Sequence, residues 1–456
     1  MFSTNVDLLK GKILKSLIIF AIPIFVSSLF QQLYNTVDIM IVGNYLGDKS
    51  LAAIGACAAV YELLVGFALG VGNGLSIVTS RGYGAEDEGL IKRSVAGSLI
   101  IGMGITIVIM GISALFLYPL LELVNTPANI IEESYSYIFI ISMFVGVMFL
   151  YNLCSGFLRA IGNSIMPLVF LIVSSVINIG LDILFITQFN MGIKGAAFAT
   201  VISQGISGIL CIIYIIIKCP ILIPKKEHFT LDKALYKDLL GQGLSMGIML
   251  LIVSTGTVIL QTSINGFGHL IIAGHTAARK IGSFAMIPIG AISMSLSTFV
   301  SQNKGANQGL RIRKAVFFAN GMSVIWSIAI TIILIFSSST LMKGLSGSSE
   351  GELIYNGSRY LIFNAPFYAV LGILLNLRNA LQGMGEKLLP LVSSVIEFFG
   401  KIVFVIMFIP ALKYFGVIIC EPIIWIFMCI QLAYSFYKNP YIKEHKIKKG
   451  DLITLD

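Results

Sequence analysis

Three polar stripes interrupt an otherwise apolar chain. Gln31, Tyr34, Asn35 and Asp38 recur at i, i+3, i+4 and i+7, which on a helix places them on one face. Ser174, Asn178 and Asp182 repeat every four residues, and Thr200, Ser203, Gln204 and Ser207 form a third stripe of the same kind. An acid at membrane depth is costly enough to be a functional hypothesis by default. If Asp38 and Asp182 meet in one poorly solvated pocket they cannot both ionise cheaply, so a proton or a sodium ion must be shared between them. Oxygens from Asn178 and Thr200 would complete a shell suited to a hard cation. The bland alternative is that each acid pairs with a neighbouring donor for helix packing. It must do so without a base, because the apolar runs of the N-terminal half hold none in their interiors.

Such stripes need membrane helices to carry them. Of 456 residues 57% are hydrophobic and only 12% are charged, whereas soluble domains carry roughly twice that charge fraction. At about 20 apolar residues per crossing the chain supplies a dozen helices, and the expectation is an all-α polytopic membrane protein. The net charge of +9 invites a nucleic-acid reading, but the basic residues gather in short loops on alternate sides of the apolar runs. Only Lys49, Lys194, Lys343, Arg359 and Lys413 are left for the outer side. This bias places both termini in the cytoplasm of a multi-pass cell-membrane protein, with membrane lipids as partner and no nucleic acid. Cys57, Cys154, Cys211, Cys219, Cys420 and Cys429 lie in or beside apolar runs and read as small buried side chains, not as disulfides or metal ligands. The first apolar run is too long for a cleavable signal and contains Asp38.

Two halves are expected: an N-terminal arm at 1–15, a six-helix bundle at 16–219, a cytoplasmic linker at 220–237, a second bundle at 238–437 and a basic cytoplasmic tail at 438–456. A shift of 221 residues carries Asn44 onto Asn265, Gly47 onto Gly268 and Gly84 onto Gly305; a shift of 223 carries Gly162 onto Gly385 and Pro167 onto Pro390. Two six-span halves share one topology, so their pseudo-symmetry axis should follow the membrane normal. The same shifts set Asp38 against Ile259, Asn178 against Lys401 and Asp182 against Val405. A constellation present in only one of two similar halves is not a requirement of the scaffold.

The segments around Pro23, Asp38-Ile-Met-Ile-Val-Gly43, Leu158-Arg159-Ala160-Ile161-Gly162-Asn163, Asn178-Ile-Gly-Leu-Asp182 and Gly195-Ala196-Ala197-Phe-Ala-Thr200 add a resemblance. Over nearly its whole length the chain resembles the multidrug and toxic compound extrusion (MATE) family of cation-coupled antiporters. The resemblance implies twelve helices in two bundles forming a V around a central cavity, and export of amphipathic, often cationic, drugs against inward proton or sodium movement. It also implies that the cation is held by Asp38, Asn178, Asp182 and Thr200, which would be metal ligands only if the ion is sodium. Some members carry further acids in the seventh, eighth or tenth helices. Here those interiors have none, and the second half offers Arg279, Lys280, Glu397, Lys401 and Glu421 instead. Glu397 and Lys401, four apart, read as an intrahelical pair, and His275 reads as a packing residue. Glu62 is ambiguous, because the distance to its helix end is within boundary error.

The expected activity is secondary antiport by alternating access, by a monomer that is no enzyme and uses no cofactor beyond the coupling proton or sodium ion. Pro23 would kink the first helix. Gln31, Tyr34, Asn35 and Asn152 would contact small-molecule organic cations and drugs. Gly70-Val-Gly72-Asn-Gly74 superficially suggests a phosphate loop, but no Walker lysine follows, so close helix packing is expected. The chief rival is a lipid or lipid-linked oligosaccharide flippase of the same superfamily; a membrane-embedded enzyme lacks a nucleophile or metal constellation.

Overall fold

The structure, a computed structural model, describes residues 5–445. Apolar runs become helices because a backbone in hydrocarbon must satisfy its own N–H and C=O groups. In chain order they are α1 (Ile13–Leu46), α2 (Asp48–Gly84), α3 (Glu88–Leu123), α4 (Ile131–Met143 and Val145–Ala160, bent by 49°) and α5 (Ile165–Gln188). These are followed by α6 (Ile193–Lys218), α7 (Lys233–Asn265), α8 (His269–Gly305), α9 (Gly309–Ser346), α10 (Gly351–Gly383), α11 (Leu388–Leu412) and α12 (Tyr414–Lys438). Eleven are long and apolar enough to cross a membrane as single helices, and the bent α4 makes a twelfth span. Most helices overrun their apolar stretches by several residues at one or both ends. Hydropathy marks the hydrocarbon thickness, whereas a helix continues until a cap or turn stops it. Asp87, for example, ends the loop before α3 by accepting from the Leu90 N–H at 2.8 Å. Lys49, Lys194, Lys343 and Arg359, assigned to outer loops from the sequence, stand on α2, α6, α9 and α10.

The internal repeat is written into the backbone. Left-handed φ angles occur at Gly47 and Gly268 and at Glu86 and Asn307, both pairs 221 residues apart, and at Gly162 and Gly385 and at Asn190 and Lys413, both 223 apart. Asn125 and Gly347 fall between, at 222. The connections therefore turn at matching registers, with one residue gained before and one after that loop. The helices repeat too. α4 bends at Phe144, and α10 tightens into a 3₁₀ turn at Ala365–Phe367. α5 widens into a π turn at Leu184–Gln188, as α11 does at Phe404–Phe408.

By compactness the described chain groups into two units: one holds Val26–Leu251 with the residues up to Asp7, the other Leu8–Phe25 with Ile252 onward. This grouping cuts within α1 and α7, away from the 220–237 loop. α1 itself continues without a break through Pro23. In the first unit, Val42, Val60, Leu75, Ile91, Ile138, Ile141 and Leu158 form the buried apolar core. Its glycine run is a packing surface. A Cβ on Gly70 would sit 2.9 Å from the Gly247 Cα, and one on Gly74 2.7 Å from the Gln242 carbonyl carbon, so α2 meets α7 backbone to backbone at Gln242 and Gly247.

Gly74→Ala should therefore cost about 1–3 kcal/mol through overpacking. In detergent its thermal transition is expected several degrees below that of the unsubstituted protein, while Gly104→Ala, with open space at its Cβ position, leaves it in place. Equal midpoints would contradict the close α2–α7 approach.

Candidate cation-binding site

All three polar stripes lie in the first unit. The α1 stripe is about 100° wide at 3.6 residues per turn, and its two edges meet different surroundings. Tyr34 and Asp38, one turn apart on one edge, turn inward, and Asp38 is only 8% exposed. Gln31 and Asn35, on the other edge, are exposed. On α5 the whole stripe is buried, with Asn178 and Asp182 at 0% exposure; on α6 Thr200, Ser203, Gln204 and Ser207 are buried as well.

Asp38 and Asp182 do meet: their carboxyl groups are within hydrogen-bonding contact of each other. Asn178 orients the pair. With its amide set by the network, its nitrogen donates to Asp182 Oδ2 at 2.9 Å and its oxygen accepts from the Thr200 backbone N–H at 3.2 Å. The Thr200 side chain hydrogen-bonds to the Tyr34 hydroxyl, which ties α6 back to α1. Asp38 Oδ1 and Asp182 Oδ1 remain buried without a partner, as does Gln204 Oε1 on the next turn of α6. No ion pair reaches either acid among the described residues. The oxygens left without a partner here are those of the two touching carboxyls, chemistry suited to a proton or a small hard cation, while the Asn178 amide is engaged with Asp182 and the Thr200 backbone. Among the described residues no group of three His, Cys, Asp or Glu side chains is placed to hold a metal ion.

The other residues of the stripes have packing work. Ser207 Oγ donates to the Phe170 carbonyl at 2.8 Å and holds α6 against α5, while Ser203 Oγ bonds back to the Thr200 carbonyl. Asn152 donates to the Met148 carbonyl of its own helix, and no described hydrogen bond joins it to Gln31, Tyr34 or Asn35. Two residues given no site role by the sequence, Tyr61 on α2 and Tyr137 on α4, stand within electrostatic reach of Asp38. Their positions depend on how α2 and α4 pack, which spacing within one helix cannot reveal.

The second unit treats the matching position differently. Lys401, in register with Asn178, is 2% exposed and donates to Glu397 Oε1 at 2.9 Å and Thr257 Oγ1 at 3.2 Å. The intrahelical pair expected from the sequence is present, and its ammonium is a tethered cation. His275 is buried, with Nδ1 3.1 Å from the Tyr414 hydroxyl and its ring edge-on to Tyr360; Tyr360 donates to Glu421 Oε2 at 3.0 Å.

A group that binds only the native state raises its stability by mass action, about 2.7 kcal/mol at a hundred times the dissociation constant. The thermal midpoint of the purified protein should rise with added sodium at fixed pH, or with falling pH alone, and not with potassium. Asp182→Asn should flatten that response, and Lys401→Met should keep it. A midpoint indifferent to both ions in the unsubstituted protein would contradict a cation site here.

Comparison with known proteins places this geometry in context. The MatE family profile matches twice, over residues 23–184 and 246–407, with the two matches in the 223-residue register of the backbone repeat. The chain is similar to "Probable multidrug resistance protein YoeA" of Bacillus subtilis (strain 168), with 28% identity over 446 residues that cover 95% of this chain and 96% of the relative. It is also similar to "Probable multidrug resistance protein YpnP" of the same organism, with 29% identity and coverage of 86% and 87%. Among solved structures, the outward-facing conformation of a multidrug resistance MATE family transporter of the MOP superfamily aligns with a TM-score of 0.87 at 21% identity. That alignment covers 97% of this chain and 100% of the other, and the likeness is one of fold.

Proposed function

The chain belongs to the MatE family, and from that premise we propose that it is a secondary active antiporter that exports amphipathic, mainly cationic organic compounds in exchange for protons or sodium ions. The observation that carries this reading is the buried Asp38–Asp182 contact with an unpartnered oxygen on each acid. The relatives named as multidrug resistance proteins support the substrate class. We place the protein in the cell membrane as a monomer with both termini cytoplasmic, its spans divided six and six.

The coupling follows from charge. Without a cation the carboxylate pair carries uncompensated negative charge and draws a positive partner from water. A proton or sodium ion from the high-potential side supplies it, and each elementary charge that crosses ~100 mV contributes ~2.3 kcal/mol. Neutralising the pair changes what Asp38 and Tyr34 bind, and both lie on α1, whose opposite edge carries the exposed Gln31 and Asn35. A helix that holds the cation on one edge and presents polar groups on the other can exchange one occupant for the other. Pro23, which lacks the backbone N–H that would brace the preceding turn, is the hinge about which α1 adjusts. Alternating access then needs only that the empty-pair and filled-pair states favour opposite openings.

Purified protein in liposomes, loaded with a cationic dye and driven separately by a pH step and a sodium step, tests this. Dye movement should follow one of the two gradients and fall at least about tenfold, some 1.4 kcal/mol of barrier, in Asp38→Asn/Asp182→Asn. Movement that survives the double substitution would sink the mechanism. Failure with both gradients would favour a lipid flippase.

A further inference from the structure

Glu62 stands in the middle of α2, fourteen residues from Asp48 and twenty-two from Gly84, so its ambiguity in the sequence is resolved in favour of membrane depth. It opens the π turn Glu62–Gly66, a local widening of the helix often found at functional sites. Its carboxylate lies back over Gly66, where a Cβ would be 3.0 Å from Oε2. The side chain is exposed, and among the described residues it has no hydrogen bond or ion pair. A mid-span acid of this kind faces water rather than lipid, and the surface around it agrees. The exposed face of α2 near Glu62 consists of Ala52, Gly55 and Ala58, and no large hydrophobic side chain is exposed anywhere from Asp48 to Gly84. Lipid-facing helices look different: α3 exposes Met103, Ile107 and Leu115, and α9 exposes Ile325 and Phe336.

We propose that Glu62 is the charge anchor for the exported organic cation, at a site separate from the Asp38–Asp182 pair; this rests on the export reading above. The exposed residues of α2 from Ala52 to Glu62 offer a single carboxylate and no second acid or amide, too few oxygens to replace the shell of a small inorganic cation. An organic cation with delocalised charge sheds little water, pairs with a single carboxylate and lays its apolar body along a smooth Ala and Gly floor. Tyr61, the preceding residue, stands within electrostatic reach of both Glu62 and Asp38.

The test compares two probes with the same triphenylphosphorus body, methyltriphenylphosphonium and the neutral triphenylphosphine oxide, by calorimetric binding to the purified full chain. Glu62→Gln should weaken the phosphonium by about tenfold or more, equivalent to about 1.4 kcal/mol, and leave the neutral oxide within about twofold. Glu62→Asp should retain part of the phosphonium affinity, and the cation-dependent thermal shift should persist in both variants. Equal loss of both probes, or an unchanged phosphonium affinity, would overturn the Glu62 assignment while the export reading stands. Loss of the cation-dependent shift in Glu62→Gln would make Glu62 part of the coupling-ion path and overturn it too. An unsubstituted protein that neither binds nor moves the phosphonium would count against both.

Discussion

Two carboxyl groups in contact at membrane depth, with no base beside them, cannot rest. Each charged form needs compensation, no ion pair among the described residues supplies it, and under the proposed function one shared cation does. The rest of the first unit can be read as the apparatus that keeps this contact in place. Asn178 spends its amide on orienting Asp182 and bonding the Thr200 backbone, and the Thr200 side chain fixes Tyr34 one turn below Asp38. Ser207 pins α6 to α5, and the glycines of α2 let α7 close against the unit from another side. Breaking a buried polar network at one member leaves the others unpaired.

The comparison of the two halves gives this reading its force. The backbone makes left-handed turns at matching registers in both, and the α4 bend and the α5 π turn have counterparts in α10 and α11. One scaffold is therefore built twice. In the first copy the polar positions hold orphaned oxygens; in the second, Lys401 delivers an ammonium to Glu397 and Thr257. A tethered cation cannot leave, so under the proposed function the second copy is fixed and exchange is confined to the first. That division suits a machine in which one half responds to an ion and the other provides a constant counterpart.

Much of this was legible in the residues themselves. Hydropathy found the twelve spans because hydrocarbon thickness imposes a run length, and the repeat was legible because Gly47, Gly268, Gly162 and Gly385 mark turns that favour glycine. The Asp38, Asn178, Asp182 and Thr200 set could be read because polar residues at helical spacing are conspicuous in an apolar chain. What the chain concealed depends on contacts between helices or on backbone detail. Tyr61 and Tyr137 sit on ordinary-looking stretches and gain meaning only when α2 and α4 pack near α1. The split of the α1 stripe, with Gln31 and Asn35 outward and Tyr34 and Asp38 inward, requires knowing which way the helix is turned. Glu62 could not be placed because helices overrun their apolar stretches, so hydropathy alone did not tell how far it lay from the helix end.

The central claim is that the two acids form one site for one cation, and the second unit forms none. Equilibrium counting of bound sodium, or of protons taken up in a potentiometric titration, on the purified chain and on Asp38→Asn, Asp182→Asn and the double variant tests it directly. The account predicts one exchangeable cation per chain and a loss in either single variant as complete as in the double, the non-additivity expected of groups that act as a unit. Two exchangeable cations per chain, or binding that survives in either single variant, would contradict it.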